Sequence, residues 1–348
     1  MKHLIVAENR AEFIGWPANS GVWNWGNEIV VGYHAGVYQP KDKGHSIDFD
    51  QPQQMRQSRS LDGGSSWQAE GPFDFDPEKA PIELIVPIDF ASSQTAIRCA
   101  NKVFHVSRDR CRSWSGPYTF TGLEFAAMTS RTDYIASGPT DCLFFLSAQD
   151  AGFGIKAGSY ADRAFCARTK DGGKTFSFEG WMLPDPPATR SVMPATVRTA
   201  GGSLVSVLRR RLDETHVNEP WRRCWIDAVG SKDEGKTWSY LGEVSPTADP
   251  PPVDQHNGNP PALVRLGDGR LCVVYGYRSA PFGMRYRTSA DTGKTWSAER
   301  IIRSDARTWD FGYPRAVALA DGSVLAMYYY TTEERQNQHI AGTIFRPE

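Results

Sequence analysis

The sequence lacks the features that mark several classes of protein. Its 348 residues carry almost no excess charge, because 39 Lys and Arg side chains stand against 40 Asp and Glu, a formal net charge of −1. Duplex nucleic acid is bound by basic surfaces that release counterions from phosphate, so no nucleic-acid partner is expected. No apolar run approaches the roughly 20 residues that span a bilayer, so no membrane partner is expected either.

Helical patterning and cysteine motifs are also missing. Apolar residues recur nowhere with a sustained 3.6-residue period, which predicts that helix is a minor component. No two cysteines form a C-x-x-C pair and no histidine stands at zinc-finger spacing, so no metal and no other cofactor is predicted. The sequence predicts free thiols, mostly in strands, at its six cysteines: Cys99, Cys111, Cys142, Cys166, Cys224 and Cys272.

The N-terminus does not have the pattern of a secretory signal. The segment MKHLIVAENRAEF holds only four consecutive apolar side chains, Leu4 to Ala7, before Glu8 and Arg10. A signal needs a longer apolar region without charges. Together with the free thiols, this predicts a cytoplasmic location.

What the sequence does contain is a repeat, the Asp-box pattern S/T-x-D-x-G-x-S/T-W/F. It occurs as SLDGGSSW, TKDGGKTF, SKDEGKTW and SADTGKTW, and in a degenerate copy, SRDRCRSW, in which Cys111 replaces the glycine. The Asp accepts hydrogen bonds within a turn between two strands, the Gly takes a positive φ, and the closing Trp or Phe packs the turn against its sheet. We therefore interpret the boxes as structural.

The spacing of the boxes predicts the architecture. Successive box aspartates are 47, 62, 62 and 58 residues apart, and the chain after the last box is long enough for one more unit. Units of this length suit four-stranded blades around a central channel, and strand pairs joined by Gly-rich turns recur at similar offsets from the boxes. The sequence predicts an all-β fold, a single six-bladed β-propeller over residues 1–348 with four-stranded antiparallel blades and Asp-box turns.

In a propeller, the segments that start the inner strands meet at the mouth of the channel, where ligands bind. Six such segments are rich in amides, carboxylates and arginines: GWPANSG, PIDFASSQ, TSRTDY, TRSVMP, HNGNPP and WDFGYPR. The boxes, their spacing and the strand pairs resemble the sialidase (neuraminidase) superfamily of BNR-repeat, six-bladed propellers over essentially the whole chain. The resemblance implies a glycoside hydrolase acting on a carbohydrate in the channel.

The resemblance also implies a catalytic tyrosine. In sialidases a tyrosine at the start of the last inner strand attacks the anomeric carbon, and the segment DFGYPRAVALADGSVLAMYY places Tyr313 in that position. A phenol has an ordinary pKa near 10, so it needs a base or cationic surroundings to react as phenolate. The sequence offers Arg278 and Arg315 as the cationic surroundings.

Sialidases hold the substrate carboxylate with three arginines, because guanidinium forks match a carboxylate. Arg278 matches one of these positions, and Arg315 and Arg209 are candidates for the others. An anionic carbohydrate is therefore the expected partner, and the sequence indicates no oligomeric state. The remaining predicted substrate contacts are Asp310, His256, Asn259 and Trp16, the last as a surface on which a sugar ring stacks.

The general acid of such enzymes comes from a loop before the first box, which here reads YQPKDKGHSIDFDQPQQMRQSRS. Asp48 is the predicted acid and His45 the second choice, because a loop carboxylate or imidazole can close over the substrate and be shielded from water. Both are therefore named as catalytic candidates beside Tyr313.

Two residues of the family pattern are not at their expected places. The first-blade arginine is replaced by the segment GWPANSG, and the glutamate that activates the tyrosine falls near HNGNPP, where Asn257 and Asn259 are amides. Glu214 or Glu219 is the alternative base. These departures favour an acidic sugar other than sialic acid, such as a uronate.

Two other functions stay open at this point. A uronide-cleaving lyase would use His45 or His256 with Tyr313 as base and acid, and an arginine would neutralise the uronate carboxylate. A non-catalytic carbohydrate-binding propeller would need none of these ionisable groups. A hydrolase releases a reducing sugar, whereas a lyase releases an unsaturated one.

Overall fold

The computed structural model describes residues 1–41, 44–75, 79–149, 162–183, 190–214, 221–245 and 260–348. Almost all of its regular structure is strand. The elements, in chain order, are β1 (Lys2–Ala7), β2 (Glu12–Gly15), α1 (Pro17–Ser20), β3 (Val22–Trp25), β4 (Glu28–Val37), β5 (Gln54–Ser60), β6 (Gln68–Phe73), β7 (Ala96–Ala100), β8 (Val103–Ser107), β9 (Ser115–Thr119), β10 (Ala127–Met128), β11 (Tyr134–Ala136), β12 (Cys142–Gln149), β13 (Asp162–Thr169), β14 (Ser177–Trp181), β15 (Arg190–Arg198), β16 (Leu204–Glu214), β17 (Trp221–Ser231), β18 (Ser239–Ser245), β19 (Ala262–Arg265), β20 (Leu271–Tyr277), β21 (Gly283–Ser289), β22 (Arg300–Ile301), β23 (Gly312–Ala318), β24 (Val324–Tyr330) and β25 (His339–Phe345).

These strands form six antiparallel sheets, the blades of a six-bladed β-propeller, as the sequence predicts. Blades 4, 5 and 6 have the strand orders β15-β16-β17-β18, β19-β20-β21-β22 and β23-β24-β25-β1. In blades 1 and 3 two short strands share the inner position, β2 and β3 beside β4, and β10 and β11 beside β12. The N-terminal β1 is the outer strand of the last blade, with Lys2 opposite Ile344, so the two ends of the chain close the ring.

Blade 2 departs from the four-stranded expectation. Within the described residues it consists of β7, β8 and β9 alone. The segment PIDFASSQ was expected to start its inner strand, but the Ile88 N–H donates to the carbonyl of Gly172, at 2.8 Å, in the box turn of blade 3. This segment therefore packs against the neighbouring blade instead of beginning a strand of its own.

The box turns have the predicted geometry. In the first box, Asp62 Oδ1 accepts hydrogen bonds from the backbone of Ser65 and Ser66, each at 2.9 Å, and Oδ2 accepts from the Ser66 hydroxyl at 2.6 Å. The Trp67 indole donates to the Gly64 carbonyl at 3.0 Å. Cys111, which replaces the glycine of the degenerate box, has a φ of 66° and is fully buried.

The box glycines also set the distance between blades. A Cβ atom on Gly64 would lie 2.4 Å from Leu325 of blade 6, and one on Gly235 would lie 2.4 Å from the sulfur of Cys166 in blade 3. Both glycines have a positive φ, 92° and 86°, so a side chain is disfavoured by conformation as well as by space. One motif thus serves the turn and the contact between neighbouring blades.

All six cysteines are free and buried, which confirms the predicted thiols. Within the described residues, no helix is long and apolar enough to cross a membrane.

The contact between blades 1 and 2 is unusually polar. Its buried apolar cluster consists of Trp23, Val30, Ala96 and Cys111. Ion pairs reinforce it, since the buried Glu28 binds Arg59, Arg110 and Arg112. Arg98 and His105, which are 5% and 4% exposed, also lie at this contact.

Arg98 is a buried cation without a described carboxylate partner. Its Nη2 donates to the Ser20 hydroxyl at 3.4 Å and to the Met55 sulfur at 3.0 Å, and its guanidinium lies 4.1 Å from the centre of the Phe75 ring. Burial lowers the pKa of Arg98 to about 9. Burying a charge without a counter-ion costs free energy, so this side chain is a source of instability in the fold.

We expect Arg98→Met to raise the free energy of unfolding by about 1–2 kcal/mol, because Met fills a similar volume without a charge to desolvate. Denaturant-induced unfolding followed by fluorescence measures the change. Arg300→Met is the matched control, since Arg300 is exposed, and it should change stability by less than about 0.5 kcal/mol. A destabilised Arg98→Met protein would show that the Phe75 and Met55 contacts outweigh the cost of burial.

Candidate functional site

Tyr313 lies at the start of the inner strand of blade 6, where the sequence places it. Its φ is 48°, in the left-handed region that non-glycine residues rarely adopt, and the register of β23 and β24 shifts between Gly312 and Arg315. Trp16, at the corresponding place in blade 1, has a φ of 57°. Such bulges and unusual dihedrals redirect side chains and are concentrated at functional sites.

The Tyr313 hydroxyl is surrounded by cationic groups. Arg209 Nη1, on β16, donates a hydrogen bond to Tyr313 Oη at 3.2 Å, and the Arg278 guanidinium lies 5.6 Å from the centre of the tyrosine ring. Burial works to raise the pKa of Tyr313, but the charges of Arg209, Arg278 and Arg131 outweigh it, so the pKa lies below its ordinary value. The phenolate is therefore easier to form here than in water.

No described carboxylate forms an ion pair with these arginines. Arg278 is 5% exposed and donates to the Phe311 carbonyl at 3.0 and 2.7 Å and to the Tyr329 hydroxyl at 2.9 Å. Arg131 donates to Asn19 Oδ1 at 3.0 Å and to the Ser130 carbonyl at 2.8 Å. Their charges are held by neutral acceptors, so the site keeps an excess of positive charge that suits an anionic ligand.

The loop before the first box brings His45 to the same part of the channel mouth. His45 Nδ1 lies 2.6 Å from Asp310 Oδ1, and Asp310 also accepts a hydrogen bond from the Tyr329 hydroxyl at 2.7 Å. Burial works to raise the pKa of Asp310, but the hydrogen bond and charge of His45 and the hydrogen bond of Tyr329 outweigh it, so the pKa is lowered. Asp310 is predicted to bind substrate, which stays a prediction, and in the structure its carboxylate contacts His45 and Tyr329.

Asp48, the predicted acid, and Trp16, the predicted stacking surface, each have contacts of their own at the channel mouth. Asp48 Oδ1 accepts from the Asp50 N–H at 3.0 Å, which closes the turn in its own loop. Trp16 is 6% exposed, its ring stacks with that of Phe49 at 6.3 Å, and it meets the His45 ring edge-on at 5.0 Å. Phe49 thus covers one face of the Trp16 ring, and the Trp16 ring packs against His45.

Arg315 forms a hydrogen bond to the short helix α1 at the channel mouth. Its Nη2 donates to the carbonyls of Ala18, at 2.6 Å, and Thr132, at 2.5 Å. It also lines a cavity of about 330 Å³ between the inner strands, together with Asp133 and Thr196. Burial raises the pKa of Asp133 to about 7, against the opposing charge of Arg315. Neither Tyr313 nor His45 lines this cavity.

Several predicted residues lie outside the described part of the chain. These are His256, Asn259, Asn257 and Glu219, together with the side chain of Glu214. Their roles stay predictions. Among the described residues, no three His, Cys, Asp or Glu side chains group as metal ligands would.

Two residues near Tyr313 were missed by sequence reasoning. Arg131 lies within the segment TSRTDY, which was singled out as polar without choosing its arginine. Tyr329 is one of three consecutive tyrosines at the end of β24, and its ring lies 5.9 Å from that of Tyr313. Tyr329 lies at the channel end of β24, the second strand of blade 6, and this position is the signal by which it could have been identified.

Solved structures of similar fold include sugar-cleaving propellers. A protein of unknown function from Dyadobacter fermentans has a TM-score of 0.71 at 20% identity, over 100% of this chain and 98% of its own. A Penicillium chrysogenum α-L-arabinanase complexed with arabinobiose has a TM-score of 0.59 at 12% identity, over 97% and 98%. The Hadza microbial sialidase Hz136 has a TM-score of 0.58 at 13% identity, over 96% and 66%. At these identities the likeness concerns the fold.

No curated protein sequence matches the chain. A family model does, and it is the one for BNR repeat-like domains, matched over residues 84–327. These residues contain four of the five Asp-boxes, three intact and the degenerate one, with Tyr313, Arg209 and Arg278. The predicted relationship to BNR-repeat propellers is confirmed, and the chain belongs to the BNR repeat-like domain family.

Proposed function

We propose that the protein cleaves the glycosidic bond of an anionic sugar, with Tyr313 as the nucleophile. One observation carries this proposal: Arg209 donates to the Tyr313 hydroxyl at 3.2 Å and Arg278 lies beside the ring, while neither arginine forms an ion pair with a described carboxylate. The sugar-cleaving propellers among the solved structures of similar fold support the reaction class. A purely binding site would not need a tyrosine of lowered pKa.

In the proposed reaction the Tyr313 phenolate attacks the anomeric carbon. The bond to the leaving oxygen breaks and that oxygen takes a proton from an acid of the protein. Water then adds to the anomeric carbon, releasing the sugar and restoring the tyrosine. Arg209, Arg278 and Arg131 provide positive charge both for the phenolate and for an acidic group on the sugar.

A lyase reaction is the second candidate. Among the described residues no carboxylate contacts the Tyr313 hydroxyl, whereas a sialidase would have a glutamate there to take its proton. A tyrosine whose pKa is lowered by arginines can, once ionised, act as a base and take the proton next to a uronate carboxylate. Elimination would then leave an unsaturated sugar.

The products decide between these reactions. The purified protein is incubated with uronides, sialosides and neutral arabinosides, and reducing ends and ultraviolet absorbance are followed together. We expect reducing ends without absorbance, from uronides first. Absorbance from uronides would replace the hydrolase by the lyase, and cleavage of neutral arabinosides alone would contradict an anionic substrate.

The anionic group is tested with one substrate in two forms. We expect a uronide to react at least about tenfold faster than its neutral methyl ester, because the ester cannot pair with the arginines. Arg209→Met should reduce this preference, and Arg300→Met, which changes an exposed arginine of blade 5, should keep it. Equal rates for acid and ester would contradict the proposed clamp.

A further inference from the structure

The proposed reaction needs a group that moves a proton, and the structure holds one strongly oriented candidate. His45 Nδ1 and Asp310 Oδ1 are 2.6 Å apart, although 265 residues separate them in the chain. The Asp310 side chain is 3% exposed, whereas that of His45 is 28% exposed. One end of the imidazole is therefore fixed inside the protein while the ring remains accessible.

Asp310 is itself held from several sides. The Ser46 N–H donates to its Oδ2 at 3.2 Å, the Gln338 amide donates to the same oxygen at 2.9 Å, and the Tyr329 hydroxyl donates to Oδ1 at 2.7 Å. A carboxylate with this many donors and a lowered pKa is ionised. An ionised carboxylate only accepts hydrogen bonds, so the Nδ1 of His45 must carry a proton, and Nε2 is the ring nitrogen left for the substrate.

Aromatic rings fix the plane of the imidazole. The Trp16 ring meets it nearly perpendicularly, at 81° and 5.0 Å, and the Trp309 ring lies at 5.9 Å. With Nδ1 bonded and two aromatic rings packed against the imidazole, His45 has one preferred orientation. Such preorganisation is what general acid–base catalysis requires of its proton carrier.

The same groups connect this pair to Tyr313. The Tyr329 hydroxyl that donates to Asp310 accepts a hydrogen bond from Arg278 at 2.9 Å, and Arg278 lies over the Tyr313 ring. Arg278 also lies 5.3 Å from the centre of the Trp309 ring that bounds His45. Among the described residues, Asp310 contacts the imidazole directly, and Arg278 connects this pair to Tyr313 through Tyr329 and Trp309.

Resting on the proposed function, we infer that His45 is the proton-transfer residue of this site and that Asp310 is a positioning residue that holds it. With a proton on both ring nitrogens, His45 gives the Nε2 proton to the leaving oxygen as the bond from that oxygen to the anomeric carbon breaks and the Tyr313 oxygen bonds to the same carbon. It then takes a proton from the water that releases the sugar, so the enzyme ends as it began. This assigns to His45 the role that sequence reasoning gave first to Asp48, whose Oδ1 accepts the hydrogen bond of a local turn.

The dependence on the leaving group tests this inference. His45→Gln should slow glycosides with poor leaving groups about 100-fold but leave aryl glycosides with acidic phenols nearly unchanged, because those leave without a proton. A merely structural role would slow both classes alike. His3→Gln, on β1, is the matched control and should change neither rate.

Asp310→Asn tests the positioning role. We expect a loss of about tenfold for glycosides with poor leaving groups and a smaller loss for aryl glycosides with acidic phenols, because the amide no longer fixes the orientation of the imidazole. Unchanged rates for both classes would contradict the role of Asp310. If Asp48→Asn shows the leaving-group dependence and His45→Gln does not, the assignment to His45 is overturned.

A measurement without substrate separates this inference from the proposed function. Nitrogen-15 NMR of the histidine side chains should find the neutral form of His45 as the Nδ1–H tautomer in the wild-type protein, and as a mixture of tautomers in Asp310→Asn. A mixture already in the wild type would overturn the positioning role whatever the substrate panel gives. If His45 shows the expected tautomer but the protein turns over no glycoside, the pairing of His45 with Asp310 is supported and the proposed reaction is contradicted.

Discussion

Replacing Tyr313 by Phe is expected to lower turnover by about 10⁴-fold or more, while changing the affinity for the substrate by only a few-fold. The ring remains in place beside Arg278 and Tyr329, so the site keeps its shape and the positive charges of its arginines. Only the oxygen that accepts the Arg209 hydrogen bond is lost. Without it no covalent intermediate can form.

Steady-state rates on the most active uronide and calorimetric titration of a non-hydrolysed analogue measure the two quantities. Tyr118→Phe is the matched control, because this tyrosine packs against Phe104 in blade 2 and should retain full activity. Turnover within a few-fold of the wild type in Tyr313→Phe would remove the tyrosine from the proposed mechanism. Loss of substrate affinity by itself would make Tyr313 a binding residue.

Gly283→Ala is expected to destabilise the protein by about 3 kcal/mol or more. A Cβ atom there would lie 1.9 Å from the Arg303 carbonyl oxygen and 2.8 Å from the Ser304 Cα atom. These are backbone atoms of the neighbouring outer segment, and Arg303 is held by the hydrogen bond from the Met284 N–H to its carbonyl at 3.0 Å. The blade must distort to accept the methyl group, which is the costly form of overpacking.

Gly267→Ala provides a matched control, since nothing lies within 4 Å of its added Cβ atom. It should leave stability unchanged or raise it by up to about 1 kcal/mol, because alanine narrows the freedom of the unfolded chain. Denaturant unfolding of both variants gives the comparison. Equal stability of the two variants would mean that β21 and the segment after β22 can move apart freely.

Much of the fold could be predicted because the Asp-box is a local structure. Asp62 bonds residues three and four positions ahead, and such contacts recur wherever the pattern recurs. The repeat length then predicts the blades. The outer strand of blade 6 was not foreseen, because β1 pairs with β25 from the other end of the chain and carries no box.

The candidate site was predictable only where a family pattern exists. The segment DFGYPR around Tyr313 located the site, and Arg209 and Arg278 do contact Tyr313. The pairing of His45 with Asp310 had no sequence signal, because a loop histidine and a strand-end aspartate carry no pattern that relates them. Arg131 and Tyr329 were missed for the same reason.

The all-β class, the number of blades and the box turns follow from the sequence, because each depends on contacts between near neighbours or on a repeated length. The place of Tyr313 follows from the resemblance to the sialidase pattern. The folded structure was needed for the closure of the ring by β1, for the need for glycine at 283, and for the finding that Arg209 and Arg131 join Arg278 around the tyrosine. It also decided which loop residue is held by Asp310. These features depend on atoms distant in the chain meeting within a few ångströms, and such meetings follow from how the blades stack around the channel.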